Sequence, residues 1–533
     1  MTSQPEKRLS TWQALVRAMT SWRTASVSLM SFSSGLPLGL VWIAIPDWLT
    51  KIGVDLRVVG LITLAQAPWT FKFLWAPLMD RYVPLKKLGR RRGWIAIAQV
   101  ALFATTLSLA GVGGHPDAPW VVGALALAVA LAAATQDIAL DAYAVDVLRP
   151  EEQGVAVGAR TAIYRAAMYL AGGFSITLAG MTSWPLVMAI LAAFYLPLIV
   201  ITWKAPEPEG QPPAPKTLRE AVWLPFLGFL SRHRALEILA FVLLYKFADQ
   251  LAQTLQRSFL VQAGYSDFDR GVALATVGLF GNLIGVFFGG ALTTTLGLGR
   301  SLWFFGFLQI FSNLGYVLLS VQPGPNRWMM YSAMAFETLA SGMGTGAYGV
   351  LLLRLTQRRF SATQYALFSS LFGLPRLLSG PITGFLVHAI GWTQFFWFSI
   401  LAGIPGLILL ARFVPWGQRE PEFSVEPPRS KEPLTSGQLA FRGLLGAIGG
   451  LGIGALIRAT LRALEGVKDG KPFAPMAELL TFLQPTDLKS WMSLVALVVF
   501  AAVCGLFTAA VVAARHGAGA EVEAEVQGPS ILP

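Results

Sequence analysis

Runs of about 20 apolar residues alternate with short polar breaks along almost the whole chain. A helix needs about 20 such residues to cross roughly 30 Å of hydrocarbon. The pattern therefore predicts membrane helices over residues 25–49, 56–79, 94–112, 119–146, 157–180, 184–203, 236–261, 270–296, 300–321, 327–353, 362–389 and 392–414, with two more over 439–460 and 491–513. A transmembrane barrel would show alternating strands of about 10 residues instead, and the chain has none of that rhythm. The first twelve helices divide six and six around 204–234, where Pro206, Pro208, Pro212, Pro213 and Pro215 cannot continue a helix. The expected organisation is an N-terminal segment 1–24, a six-helix bundle 25–203, a linker 204–235, a second six-helix bundle 236–414 and a linker 415–438. Two extra helices with their loop (439–513) and a disordered tail (514–533) follow.

Composition and charge place this all-α polytopic chain in its surroundings. Hydrophobic residues make up 54% and charged residues 13%, with a mean hydropathy of +0.58, far from a soluble domain. The net charge of +12 would suit nucleic acid, but Lys and Arg lie between apolar runs and form no single patch interleaved with aromatics. The lipid bilayer, not nucleic acid, is the expected partner. The basic residues gather in the N-terminal tail, 81–92, 149–160, 204–234, 354–359 and 412–431, breaks that alternate onto one side. The positive-inside rule makes that side cytoplasmic, with the N-terminus there too. The last inter-helix loop, with Arg458, Arg462, Lys468, Lys471 and Lys489, departs from the pattern.

Cys504 is the single cysteine and His115, His233, His388 and His516 are scattered, so neither an intrachain disulfide nor a metal site is expected. Met1 to Arg23 is polar and amphipathic, which argues for an uncleaved first helix that serves as its own insertion signal.

Faint similarity at a spacing of roughly 205–215 residues suggests that the halves are structural repeats. The tract 149–160 resembles 354–365, and Ser183-Trp184 matches Gly391-Trp392. Two such halves facing each other enclose a central cavity.

After the second helix runs Ala76-Pro77-Leu78-Met79-Asp80-Arg81-Tyr82-Val83-Pro84, then Gly89-Arg90-Arg91-Arg92. An Asp at a helix end can accept bonds from neighbouring helix N-termini and Arg side chains and so latch the halves together. Asp80, Arg81, Gly89 and Arg90 are the gating candidates. The plain alternative is a positive-inside loop. The segment resembles the cytoplasmic loop signature of the major facilitator superfamily, with Ala76 where that signature has Gly.

Four further segments narrow the resemblance: Ser34-Gly35-Leu36-Pro37-Leu38-Gly39, Thr70 to Pro77, Thr135-Gln136-Asp137-Ile138-Ala139-Leu140-Asp141-Ala142-Tyr143, and Ala362-Thr363-Gln364-Tyr365-Ala366-Leu367. Together they look like the AmpG family of muropeptide permeases over roughly residues 25–415. The resemblance implies a major facilitator fold; the two additional C-terminal helices read from the apolar pattern lie beyond the segment that it covers. It also implies proton-driven inward transport of anhydromuropeptides across a bacterial inner membrane, for peptidoglycan recycling and β-lactamase induction. It implies no cofactor, only the proton as coupling ion, and a muropeptide as the small-molecule partner; a monomer is the expected assembly.

Asp137 and Asp141 lie one turn apart in an otherwise apolar helix. Carboxylates at that depth are costly and are usually tied to a polar pathway. Asp137 sits about 9 residues, roughly 13 Å, from the cytoplasmic end of its helix. Hydrocarbon penalises its charged form, which suits a group that takes up and releases a proton. The family's proton-coupling acid matches Asp137; the alternative is an Asp paired permanently with Lys72 or Arg165. Asp141, nearer the inner surface, reads as structural. Lys72, Arg165, Lys246 and Arg376 balance Asp137, Asp141, Asp249 and Glu337 four against four, which suits internal pairs or a zwitterionic ligand. The ligand-contact candidates are Gly35, Lys72, Gln136, Arg165, Lys246, Asp249, Glu337 and Arg376.

Gly446, Gly450 and Gly454 repeat the GxxxG spacing and mark a helix-contact face, for docking on the core or for dimerisation. Rival readings are another cargo such as acetyl-CoA or a sugar, a membrane enzyme on a lipid-linked sugar, or a non-transporting sensor. No soluble insertion is large enough to house an enzyme site.

Overall fold

The computed structural model describes residues 16, 20–54, 62–112, 119–208, 213–423, 434–468, 472–481 and 488–517. The tail 514–533 lies mostly outside these residues, as does most of the segment 1–24.

The described chain is helical throughout. The first half comprises α1 (Trp22–Lys51), α2 (62–81), α3 (Gly89–Val112), α4 (Pro119–Val147), α5 (153–181) and α6 (Trp184–Lys204). A linker helix, α7 (Leu218–Leu230), follows inside the proline-rich stretch read as linker; its own proline, Pro225, lies within the helix. The second half comprises α8 (235–262), α9 (267–296), α10 (Leu298–Ser320), α11 (Arg327–Leu355), and α12 (361–390) and α13 (392–413) on either side of Gly391. The φ of +76° at Gly391 is open to glycine at little cost, and there the chain turns from one helix into the next.

The irregular helices have identifiable causes. Pro46 lacks an N–H and its ring clashes with the carbonyl one turn earlier, and α1 widens to π geometry at Leu40–Ala44 just before it. Pro68 and Pro77 break α2 into short α and 3-10 pieces, and Lys72 begins one of the 3-10 turns. The helix α8 breaks at Lys246, where φ and ψ are −102° and 2°.

Each half has its own apolar core. In the first, Leu36, Trp48, Leu102, Val129, Met188 and Tyr195 pack together, with Trp48 stacked on Trp184 at 5.7 Å. In the second, Phe259, Tyr316 and Phe396 form the centre.

The helices fall into two compact units. The first holds both halves; the second joins 222–235 to 423–533. In the second unit, α14 (Ser436–Lys468) packs along α16 (Leu488–Arg515), with the short α15 (Pro475–Thr481) between them in sequence. The glycine face of α14 is spent within this hairpin: side chains on Gly446, Gly450 or Gly454 would strike Thr508, Cys504 and Leu497 of α16.

Candidate functional site

The two halves meet at the end that carries the basic loops. Asp80, in the last turn of α2, is fully buried. Its carboxylate accepts from the backbone N–H of Ala362 (3.1 Å) and Thr363 (2.8 Å) and from the Thr363 hydroxyl (2.6 Å). It therefore caps α12 from the opposite half, where free N–H groups and the helix dipole favour an anion.

Arg91 completes this joint. Its guanidinium donates to Asp80 Oδ1 (2.7 Å), Asp146 Oδ2 (2.9 Å) and the Ser361 hydroxyl (2.7 Å), and Ser361 donates to Asp146 Oδ1 (2.8 Å). Arg90 donates to the Asp80 carbonyl. Arg81 instead lies over the Tyr82 ring, so the cation of the latch is Arg91. Gly89 turns the chain into α3 with φ +72°. Arg354 of α11 adds bonds to Gln153 Oε1 (2.6 Å) and the Pro150 carbonyl.

Beside this joint, α5 and α9 cross with their backbones in contact. A side chain on Gly154 or Gly290 would collide with the other's main chain, and one on Gly158 with Phe287.

Deeper between the halves lies a cavity with roughly 930 Å³ of empty space, its open side included. Four charged residues line it: Lys72, Asp137, Asp141 and Arg160. Asp141 receives Lys72 Nζ at 3.4 Å and is also bound by Arg160. Asp137, one turn away, is half-buried and makes no salt bridge among the described residues. Neither cation expected for it is in that role: Lys72 serves Asp141, and Arg165 is half-buried with partners of its own. With both acids ionised the four charges cancel; one proton on Asp137 leaves the cavity with a net charge of +1.

The other predicted positions divide by location. Gln136 is buried and donates to the hydroxyls of Ser33 (2.8 Å) and Ser34 (3.0 Å). It ties α4 to α1 and orients Ser34, which lines the cavity beside Asp137. Gly35 is a packing position, where α1 abuts the Tyr164 carbonyl of α5. Lys246, Asp249 and Glu337 form a buried cluster inside the second half. There Lys246 donates to Asp249 (2.6 Å), Gln309 (2.5 Å) and the Ser341 carbonyl (2.9 Å), and Glu337 accepts from Gln253 (2.6 Å) and Tyr316 (3.1 Å). These three do not line the cavity described above. Arg376 lies on α12, its side chain outside the described residues.

Sequence reasoning missed Arg160, Arg91 and Asp146. All three fall in or beside basic breaks, where charge was read as topology; the added signal is Asp146, a third acid at the end of α4 facing the α2–α3 loop. Groups of His, Cys, Asp and Glu able to hold a metal are absent among the described residues.

Comparisons with known proteins fit this geometry. The sequence profile of the Major Facilitator Superfamily matches residues 27–379. The anhydromuropeptide permease of Escherichia coli strain K12 is 40% identical over 390 residues, covering 73% of this chain and 79% of that protein. A Haemophilus influenzae protein is 34% identical over 401 residues, 73% of this chain and 93% of its own. Among solved structures, a bacterial homologue of the iron transporter ferroportin in an outward-facing state superposes with a TM-score of 0.53 at 14% identity, covering 76% of this chain and 99% of that one. The human organic anion transporter MFSD10 gives 0.55 at 13% identity, over 73% and 99%. At these identities the two structures speak for the fold.

Proposed function

The chain belongs to the Major Facilitator Superfamily and, within it, to the family of anhydromuropeptide permeases, and on that footing we propose that it imports anhydromuropeptides into the bacterial cytoplasm in symport with protons. It is a multi-pass permease, not an enzyme. Uptake of such fragments serves peptidoglycan recycling and feeds β-lactamase induction. The proton is the coupling ion, and the protein works as a monomer.

The observation that carries this reading is the unequal pair of acids. Asp141 is neutralised in place by Lys72 and Arg160, whereas Asp137 faces the cavity without an ion-pair partner among the described residues. Ionised, Asp137 competes with any incoming carboxylate for the two cations. Protonated, it leaves one positive charge unanswered, and a ligand carboxylate can take that place. Proton and anionic ligand therefore load together. A gradient drives transport only when the two charge states of the acid favour different conformers.

The basic end faces the cytoplasm in this reading, so the conformer described is closed inward and receives ligand from outside. Rocking of the halves then breaks the Asp80–Arg91 joint and opens the cavity inward. Release of ligand and proton lets the joint re-form.

Uptake of labelled anhydromuropeptide by cells lacking their own permease tests cargo and energy source together. Accumulation is expected, and a proton uncoupler is expected to abolish it. Asp137→Asn is expected to lose concentrative uptake while keeping exchange of ligand across the membrane. Undiminished, uncoupler-resistant accumulation by the variant would sink the coupling role.

A further inference from the structure

We propose that the cavity grips its ligand on two chemically distinct walls, with carboxylates held by Lys72 and Arg160 on the first half and a sugar ring laid on Phe372, which Tyr348 backs from within, on the second. The inference rests on the import reading above and adds to it which part of the ligand each half recognises.

The asymmetry of the lining is the starting point. Every charged lining residue comes from α2, α4 or α5, and the first half adds the Tyr164 ring and the hydroxyls of Ser34 and Thr161, while α11 and α12 contribute rings, hydroxyls and aliphatic carbon with no charge. Tyr348 is buried and fixed in place behind the cavity wall. The hydroxyl donates to the Val242 carbonyl of α8 at 2.8 Å, and Tyr245 stacks against the ring at 6.0 Å and 7°. Phe372, half-buried, lies 5.1 Å from Tyr348 at 38°, so the buried ring holds Phe372 in position at the cavity wall. Ser369 and Thr345 also line the cavity and offer hydroxyls to polar substituents.

A pyranose has two unlike aspects. Its axial C–H groups make an apolar, slightly positive face that packs on the negative face of an aromatic ring, and its rim carries hydroxyl and acetamido groups that need hydrogen bonds. Rings flanked by hydroxyls meet both needs. A peptide carboxylate gains nothing from that wall, but finds two cations opposite. A ligand with sugar at one end and acid at the other bridges the halves, and neither half alone holds all of it. Such bridging ties occupancy to the relative position of the halves.

The test measures binding of two separate probes to the purified full-length protein by calorimetry: N,N′-diacetylchitobiose, a neutral disaccharide, and the free murein tripeptide, an acidic peptide without sugar. Both are expected to bind. Phe372→Leu is expected to weaken the disaccharide on the order of tenfold and to leave the tripeptide within about twofold. Phe372→Tyr, which keeps the ring, is expected to retain disaccharide binding. Lys72→Gln is expected to show the reverse preference. Equal losses for both probes in each variant, or loss of the disaccharide only in Lys72→Gln, would overturn the assignment of walls. Failure of the import reading has a different signature: both probes bind the parent protein, and cells expressing it accumulate no muropeptide.

Discussion

Two aspartates one turn apart on α4 have opposite duties because of what stands opposite each. Asp141 holds Lys72 and Arg160 in place, and removing one partner of a buried ion pair costs about 3–5 kcal/mol because the other charge is left unanswered. Asp141→Asn is therefore expected to lower the unfolding temperature of the purified protein clearly more than Asp137→Asn does. Equal shifts in the two variants would remove the distinction. Asp80 makes a similar point at the basic end. It caps α12 across the joint between the halves, so Asp80→Asn is expected to reduce the share of molecules closed at that end, read as longer distances between spin labels placed across it. Unchanged distances would show that the cap does not hold the closure. Asp137 was legible in the sequence because nothing apolar explains an acid at that depth. Arg160 was not, because a cation near a membrane surface reads as topology until a structure turns it inward.

The crossing of α5 and α9 depends on the absence of side chains. Gly154 and Gly290 let two main chains touch, and any Cβ there must push the helices apart. Gly290→Val is expected to leave the protein in the membrane but cut muropeptide uptake at least tenfold, because overpacking of this kind costs about 1–3 kcal/mol. Near-normal uptake by this variant would show that the crossing need not close. The helices themselves were legible from runs of apolar residues, to within a few residues at most ends. The pieces of α2 were not, since hydropathy records where a segment lies but not how Pro68 and Pro77 divide it. Nor could spacing alone assign the α14 glycines, which turn out to face α16 within the hairpin.

Two separate cores, one in each half, let the halves move as bodies about a cavity that neither core fills. That cavity is built wholly from the first compact unit. A chain ending after Glu422 is accordingly expected to retain uncoupler-sensitive uptake. Loss of uptake by a truncated protein present at normal levels would give the C-terminal hairpin a part in transport. Nine helical stretches among the described residues are long and apolar enough to cross a membrane on their own. The helices α2, α5, α11 and α12, which bring Lys72, Arg160, Tyr348 and Phe372 to the cavity, are outside that set. Their polar residues, and in α2 the breaks at Pro68 and Pro77, make these segments poor clients for release into lipid one at a time. Each is expected to enter the bilayer only beside an apolar neighbour, so that the order of synthesis decides which polar surfaces are hidden first.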